Sequence, residues 1–135
     1  MRTYLTLLIF MASSLFVQAQ EVVYSPIGNH YASEAQLLAT LEQNGRDVNA
    51  NFLLACHYYN QAVIFIEQNQ LQGASHRELA QHEEVYTLFR KAVPFAEYAY
   101  NNLEEKDDAL RLLQRSWYGL GNMNMYNKYS APVAH

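Results

Sequence analysis

Apolar residues in the middle of the chain recur at the spacing of an α-helix. Phe52, Cys56, Tyr59, Val63 and Ile66 follow one another at intervals of 4, 3, 4 and 3 residues, which places them on one helical face. Further apolar residues widen this face: Leu53, Leu54, Ala55, Ala62, Ile64 and Phe65. A helix over 48–70 that is apolar around much of its circumference is expected to have neighbours on two sides.

A shorter helix is predicted before this one. Ser33 and Gln36 have the spacing of a capping box, in which the two side chains satisfy backbone amides at the start of a helix. Asn44-Gly45 is a good stop signal, because glycine adopts the left-handed conformation at low cost. These signals predict a helix over 34–43.

A long helix is predicted over 76–103. It begins at a second capping box, Ser75 to Glu78, and carries one apolar stripe: Leu79, Tyr86, Phe89, Val93, Ala96, Tyr100 and Leu103. Pro94 lies inside the stripe and has no amide to donate to the carbonyl four residues back. Because the stripe stays in phase across it, we expect a kink near 89–92 and not necessarily a break.

The C-terminal part predicts one more full helix and one or two extra turns. Asp107 and Asp108 suit the first turn of a helix over 106–120. Its inner face consists of Ala109, Leu112, Leu113, Ser116, Trp117 and Leu120. Gly121-Asn122 ends it, and 124–130 is expected to pack back onto it. Since no segment alternates as a strand does, the prediction is an all-α protein, a small antiparallel bundle of four to five helices.

The N-terminus has the pattern of an export signal. Arg2 precedes an apolar segment over 5–16, and Val17-Gln18-Ala19 fits the small-residue rule for cleavage after Ala19. The segment is shorter than the roughly 20 residues that span a bilayer. We therefore expect a signal peptide over 1–19, an irregular arm over 20–32, a helical domain over 33–131, and a periplasmic or extracellular location with no transmembrane span after cleavage.

The composition and net charge of the chain argue against nucleic acid as a partner. Half of the 135 residues are hydrophobic, and the formal net charge is −4. Loss of the leader would remove Arg2 and no acidic residue, leaving −5. A weakly acidic domain without a cluster of lysine and arginine lacks the electrostatic footprint of a nucleic-acid-binding protein.

The sequence offers little catalytic chemistry. His76 and His82 leave a helix about 240° apart and cannot share a metal ion from one face. The carboxylate runs at 83–84 and 104–108 are typical of solvated helix ends and not of a catalytic pair. The single cysteine, Cys56, is either a buried small hydrophobe or a partner for a disulfide with another subunit. We predict no catalytic residue, no metal site, no cofactor and no enzymatic activity.

Three segments resemble parts of a known repeat. Leu54, Ala55 and Tyr58 stand in a large, small, aromatic order. In a second segment, the matching residues are Leu113, Trp117, Leu120 and the turn glycine Gly121. Between them, 91–99 carries regularly spaced alanines at 92, 96 and 99. These segments resemble the first and second helices of the tetratricopeptide repeat, in which small residues allow two helices to approach closely.

The layout of 50–129 is more specifically similar to exported tetratricopeptide-like proteins of Bacteroidetes-type bacteria. The motifs that carry this similarity are Asn-Gln-Ala-Val at 60–63, Lys-Ala-Val-Pro-Phe at 91–95, Tyr-Gly-Leu-Gly at 118–121 and Lys-Tyr at 128–129. Gln114 departs from the pattern, since the repeat prefers a small residue there. The resemblance implies a stack of helical hairpins that forms a protein-binding surface.

The expected function is therefore that of an exported, non-enzymatic helical module that binds another protein, in a cell-envelope assembly or by self-association. Tyrosine and tryptophan are enriched at interfaces because they bury a large area and keep a polar tip. The residues we expect in the binding surface are Tyr98, Trp117, Tyr118, Tyr126 and Tyr129. The alternative is a small helical bundle that binds a small ligand or glycan in an aromatic cavity.

Overall fold

Six α-helices follow one another in the computed structural model, which describes residues 22–28 and 32–131. They are α1 (Glu34–Gln43), α2 (Val48–Gln68), α3 (His76–Gln81), α4 (Glu83–Asn102), α5 (Asp107–Gly119) and α6 (Met123–Ser130). No strand occurs in these ranges, and the all-α prediction is confirmed. The predicted signal peptide, 1–19, lies outside the described residues.

Helix α2 is the centre of the bundle. It packs against α1, α4 and α5, as its wide apolar surface predicts. Its fully buried residues are Leu54, Ala55, Cys56, Tyr59, Ala62, Val63 and Ile66. Ile64, which the sequence assigned to the apolar face, is instead 50% exposed.

Capping side chains explain where α1 and α2 begin. Ser33 Oγ accepts from Gln36 N, and Gln36 Oε1 accepts from Ser33 N at 2.9 Å, which completes the predicted capping box. Asp47 caps α2 by accepting from Ala50 N at 2.9 Å. α1 ends at Gln43 as expected, but the reason given for it is wrong, because Gly45 is not among the residues with positive φ.

The predicted helix over 76–103 is wrong at His82, where the chain is extended (φ −82°, ψ 107°) between α3 and α4. Pro94 does not break the helix, since α4 runs through it from Glu83 to Asn102. The break shifts the helical phase, so that Val85 is fully buried and Tyr86 is 38% exposed. A continuous helix would have placed Tyr86, seven residues after Leu79, on the same buried face.

Helices α4 and α5 meet at a glycine. A Cβ on Gly119 would lie 2.3 Å from Cε2 of Phe89, so only a residue without a side chain fits there. Two residues later, Gly121 has φ +73°. Its amide donates to Tyr118 O at 2.9 Å and Asn122 N donates to Trp117 O at 3.1 Å, which is the Schellman arrangement that ends a helix.

Helix α6 is tied to α5 by the residue that departs from the repeat pattern. Gln114 Nε2 donates to the Tyr129 carbonyl at 2.7 Å. Tyr129 also packs edge-on against Tyr100 of α4, with ring centroids 5.6 Å apart. A small residue at position 114 would forgo the first of these contacts.

The end of α2 suggests a stabilising substitution. Gln70 has φ +56° and donates to Glu67 O while Leu71 donates to Ile66 O, so a non-glycine residue holds the left-handed position. Replacing Gln70 by glycine is expected to raise the free energy of unfolding by about 0.5–1 kcal/mol. Urea denaturation measures it. The control is Gln61→Gly, at an exposed position inside α2, and its free energy of unfolding is expected to fall by about 1 kcal/mol. A fall in both variants would contradict the left-handed conformation assigned to Gln70.

Candidate interaction site

The five aromatic residues predicted to bind a partner are all half-buried, and they occupy four different settings. The hydroxyl of Tyr98 donates to the Arg46 carbonyl at 3.3 Å in an exposed hydrogen bond that ties α4 to the loop between α1 and α2. Tyr129 lies between Tyr100 and the ammonium of Lys128, which is 5.5 Å from its ring. Burial and the nearby Glu97 carboxylate raise the pKa of Tyr129.

Tyr118 and Tyr126 form a pair at the end of the bundle where α3 packs on α5. Their ring centroids lie 5.4 Å apart in an edge-on arrangement. The imidazole of His76 adds a third ring, 5.6 Å from Tyr118. All three rings are half-buried, so the group leaves part of its aromatic surface exposed.

Trp117 lies in an open cleft of about 430 Å³ between α4 and α5. The residues that line it are Tyr86, Arg90, Val93, Pro94, Trp117, Leu120 and Asn122. Val93 is 5% exposed, whereas Tyr86, Arg90 and Pro94 are exposed. The cleft therefore combines buried apolar and exposed aromatic surface with one positive charge. We call it the aromatic cleft.

One side-chain donor and one backbone acceptor in residues that line the aromatic cleft lack their usual hydrogen-bond partners. The indole Nε1 of Trp117 is buried and makes no hydrogen bond within the described residues. Pro94, inside α4, has no amide to donate to the carbonyl of Arg90 four residues back. A buried donor without an acceptor costs roughly 1–3 kcal/mol. Both Trp117 and Arg90 line the cleft, but the indole N–H is buried and does not reach its surface.

Tyr86 is the cleft residue that the sequence placed elsewhere. Its spacing from Leu79 and Phe89 put it on the buried stripe, and only the break at His82 turns it outward. A signal was present, since the second capping box predicts a helix start at His76 and Glu83-Glu84 suits the first turn of another helix. Two start signals seven residues apart are compatible with a short helix followed by a new one.

The polar groups outside the cleft include exposed carboxylates and a hydrogen bond between a tyrosine and a glutamate. Among residues 22–28 and 32–131, no three side chains of histidine, cysteine, aspartate or glutamate are grouped so that they could hold a metal ion. Glu83, Glu84, Glu104, Glu105 and Asp107 are exposed. Tyr58 donates to Glu34 Oε1 at 2.7 Å, and burial together with this hydrogen bond raises the pKa of Tyr58 to about 12.

Cys56 is fully buried, as expected of a small hydrophobe. Burial, with a smaller contribution from the Asp108 carboxylate, raises the pKa of its thiol from 9.0 to about 12. At pH 8 the reactive thiolate is then on the order of 10³-fold scarcer than in an exposed cysteine. We expect iodoacetamide to leave Cys56 unmodified in the native protein and to alkylate it after unfolding in guanidinium. Equal rates in both states would contradict this.

No protein-family model, curated protein or solved structure matches this chain. The resemblance to tetratricopeptide-like proteins therefore stays a prediction from the sequence. Within the part of the chain that the structure describes, none of the helices combines the length and the apolar character needed to cross a membrane.

Proposed function

We propose that this protein is an exported, non-enzymatic helical module that binds another protein through the aromatic cleft. The observation that carries the proposal is the cleft itself, which Tyr86 and Trp117 line together with Arg90 and the apolar side chains of Val93 and Leu120. Aromatic residues with an arginine are the combination most enriched at the energetic centres of interfaces. Arg90 is the one charged residue among those lining the cleft.

The lining also indicates which chemistry a partner presents. An apolar side chain would cover Val93 and Leu120, and a carboxylate would pair with Arg90 at the rim. A polypeptide supplies both groups within a short segment. We infer that a peptide segment of the partner occupies the cleft.

Site-specific photo-crosslinking tests this function. A photo-reactive amino acid placed at Tyr86 in the producing organism is expected to trap a discrete protein, and the same amino acid at Leu38 is not. Leu38 lies on α1 and is 40% exposed, which matches the 38% of Tyr86. The substitution Arg90→Glu is expected to reduce the cross-linked product from Tyr86. Equal products from both positions would contradict a specific interface at the cleft.

The single tryptophan allows a direct measurement of binding at the cleft. The purified partner is expected to shift the emission of Trp117 and to protect it from acrylamide quenching. The small-ligand alternative makes a different prediction, because a filtrate of low-molecular-mass compounds would then shift the emission and Tyr86 would trap no protein. That result would overturn the proposed function.

A further inference from the structure

The arm before α1 is held as a bound peptide would be held. Residues 22–28 are neither helix nor strand, yet Tyr24 is 2% and Ile27 5% exposed. The residues between and around them, 23, 25, 26 and 28, are exposed. Two anchors three residues apart thus point into the bundle while the rest of the segment faces solvent.

Side-chain amides of α2 and the segment after it grip the backbone of the arm. Gln72 accepts from Tyr24 N at 3.1 Å and donates to Tyr24 O at 2.6 Å. Asn60 does the same for Ile27, accepting from its N–H and donating to its carbonyl, both at 2.9 Å. An amide that both donates and accepts satisfies an extended residue as a neighbouring β-strand would.

Ser25, one of the two residues between the anchors, is held by Tyr59 and Arg115. The Tyr59 hydroxyl donates to the Ser25 carbonyl at 3.0 Å, and Arg115 Nη1 lies 3.3 Å from the same oxygen. Arg115 also donates to Tyr59 at 3.1 Å, which orients the phenol. Five main-chain groups of the segment 24–27 therefore bond to side chains of the helical domain.

The two anchors supply the sequence preference of this groove. The Tyr24 ring packs against Phe89, with centroids 5.6 Å apart. Its hydroxyl donates to the Arg115 carbonyl at 2.9 Å, so the site distinguishes tyrosine from phenylalanine. Pro26 has no amide to leave unsatisfied. Ile27 completes a pattern of tyrosine, two residues and isoleucine in an extended segment.

We propose that this groove is a binding site for an extended tyrosine-x-x-isoleucine segment and that it accepts the arm of a second copy of this chain. The helices contribute side chains and the Arg115 carbonyl, so recognition does not depend on which chain supplies the segment. Because residues 23, 25, 26 and 28 are exposed, the arm lies at the surface of the helical domain, with only its two anchors inside. The arm of another copy is identical and fits the same contacts, which is the basis of domain swapping.

The proposal is independent of the aromatic cleft, because the groove uses none of the residues that line it. Two copies that exchange arms reciprocally form a closed dimer in which each groove is filled by the other chain. The contacts are the same in the monomer and in the dimer. Because two chains form one dimer, the balance between the two forms depends on protein concentration.

Complementary variants test the exchange in the full chain. A donor variant, Asn60→Ala/Gln72→Ala, keeps its arm but loses both amide grips. An acceptor variant, Tyr24→Ala/Ile27→Ala, keeps the groove but loses both anchors. Each variant alone is expected to sediment as a monomer, and a mixture of the two is expected to yield a 1:1 complex of doubled mass. A mixture that sediments as two monomers would overturn the proposal.

A second measurement applies if the acceptor variant, Tyr24→Ala/Ile27→Ala, does not fold by itself. A synthetic peptide of residues 22–28 is expected to restore its helical circular dichroism. Each tenfold increase in peptide above its dissociation constant is expected to raise the melting temperature by roughly 5 °C or more. A peptide with alanine in place of Tyr24 and Ile27 serves as the control. If the peptide stabilises the acceptor but the donor chain does not, the groove accepts a different partner and the second-copy proposal is wrong.

Discussion

Replacing Gly119 by alanine is expected to lower the free energy of unfolding by about 3 kcal/mol, which corresponds to a fall of roughly 12 °C or more in the melting temperature. The added Cβ would lie 2.3 Å from Cε2 and 2.5 Å from Cδ2 of Phe89. Contacts this short force one of the two helices or the ring to move. The ring is fully buried between Tyr24 and Tyr59, at centroid distances of 5.6 and 6.0 Å, and has little freedom to yield.

Two variants make this prediction specific. Gly45→Ala adds the same methyl group where the nearest atom is the Leu41 carbonyl oxygen at 3.6 Å, so its cost is expected to stay within about 0.5 kcal/mol. Combining Gly119→Ala with Phe89→Leu removes the ring atoms involved, and the double variant is expected to lose less stability than the sum of the single variants. Guanidinium denaturation followed by circular dichroism measures the free energy of unfolding of Gly45→Ala, Gly119→Ala, Phe89→Leu and the double variant. Strict additivity would show that the two side chains do not compete for the same space.

Replacing Tyr24 by alanine is expected to cost about 3–5 kcal/mol, although the residue lies in an arm without regular secondary structure. The ring is 2% exposed, packs on Phe89 and is joined to the hydrophobic core. Tyr24→Phe keeps the ring and loses the hydrogen bond to the Arg115 carbonyl, so about 1 kcal/mol is expected. Burial also raises the pKa of Tyr24 far above its ordinary value, in agreement with a fully desolvated phenol.

The neighbouring residue provides the matched control for Tyr24. Val23 is 58% exposed, and Val23→Ala is expected to change stability by no more than about 0.5 kcal/mol. Urea denaturation of the full chain compares the three substitutions under one condition. If Tyr24→Ala costs no more than Val23→Ala, the arm is not part of the folded core, and the groove that holds it has no stabilising ligand.

The helices were predictable where strong local signals coincide. The capping box at Ser33 fixes the start of α1, and the predicted 34–43 matches the observed bounds. The spacing from Phe52 to Ile66 gives α2, predicted to residue 70 and observed to Gln68. In both cases adjacent side chains decide the outcome, since a cap or a helical face involves residues within one or two turns.

The candidate site was predicted only in part, because exposure depends on helical phase and on neighbours distant in sequence. Trp117 was expected in the binding surface and does line the aromatic cleft. Tyr86 was expected in the core and lies at the rim, since the backbone at His82 resets the phase of α4. Tyr98 does not line this cleft, and its hydroxyl bonds to the Arg46 carbonyl, 52 residues away in sequence.

The sequence by itself determined the helical content, most helix ends and the apolar faces, because these follow from interactions between residues close along the chain. Tertiary structure alone decided that Gly119 must lack a side chain, that Tyr86 faces a cleft, and that an irregular arm is gripped by Asn60 and Gln72. Each of these depends on atoms brought together by packing: Phe89 lies 30 residues before Gly119, and Gln72 lies 48 residues after Tyr24. Helical periodicity carries no information about such pairs.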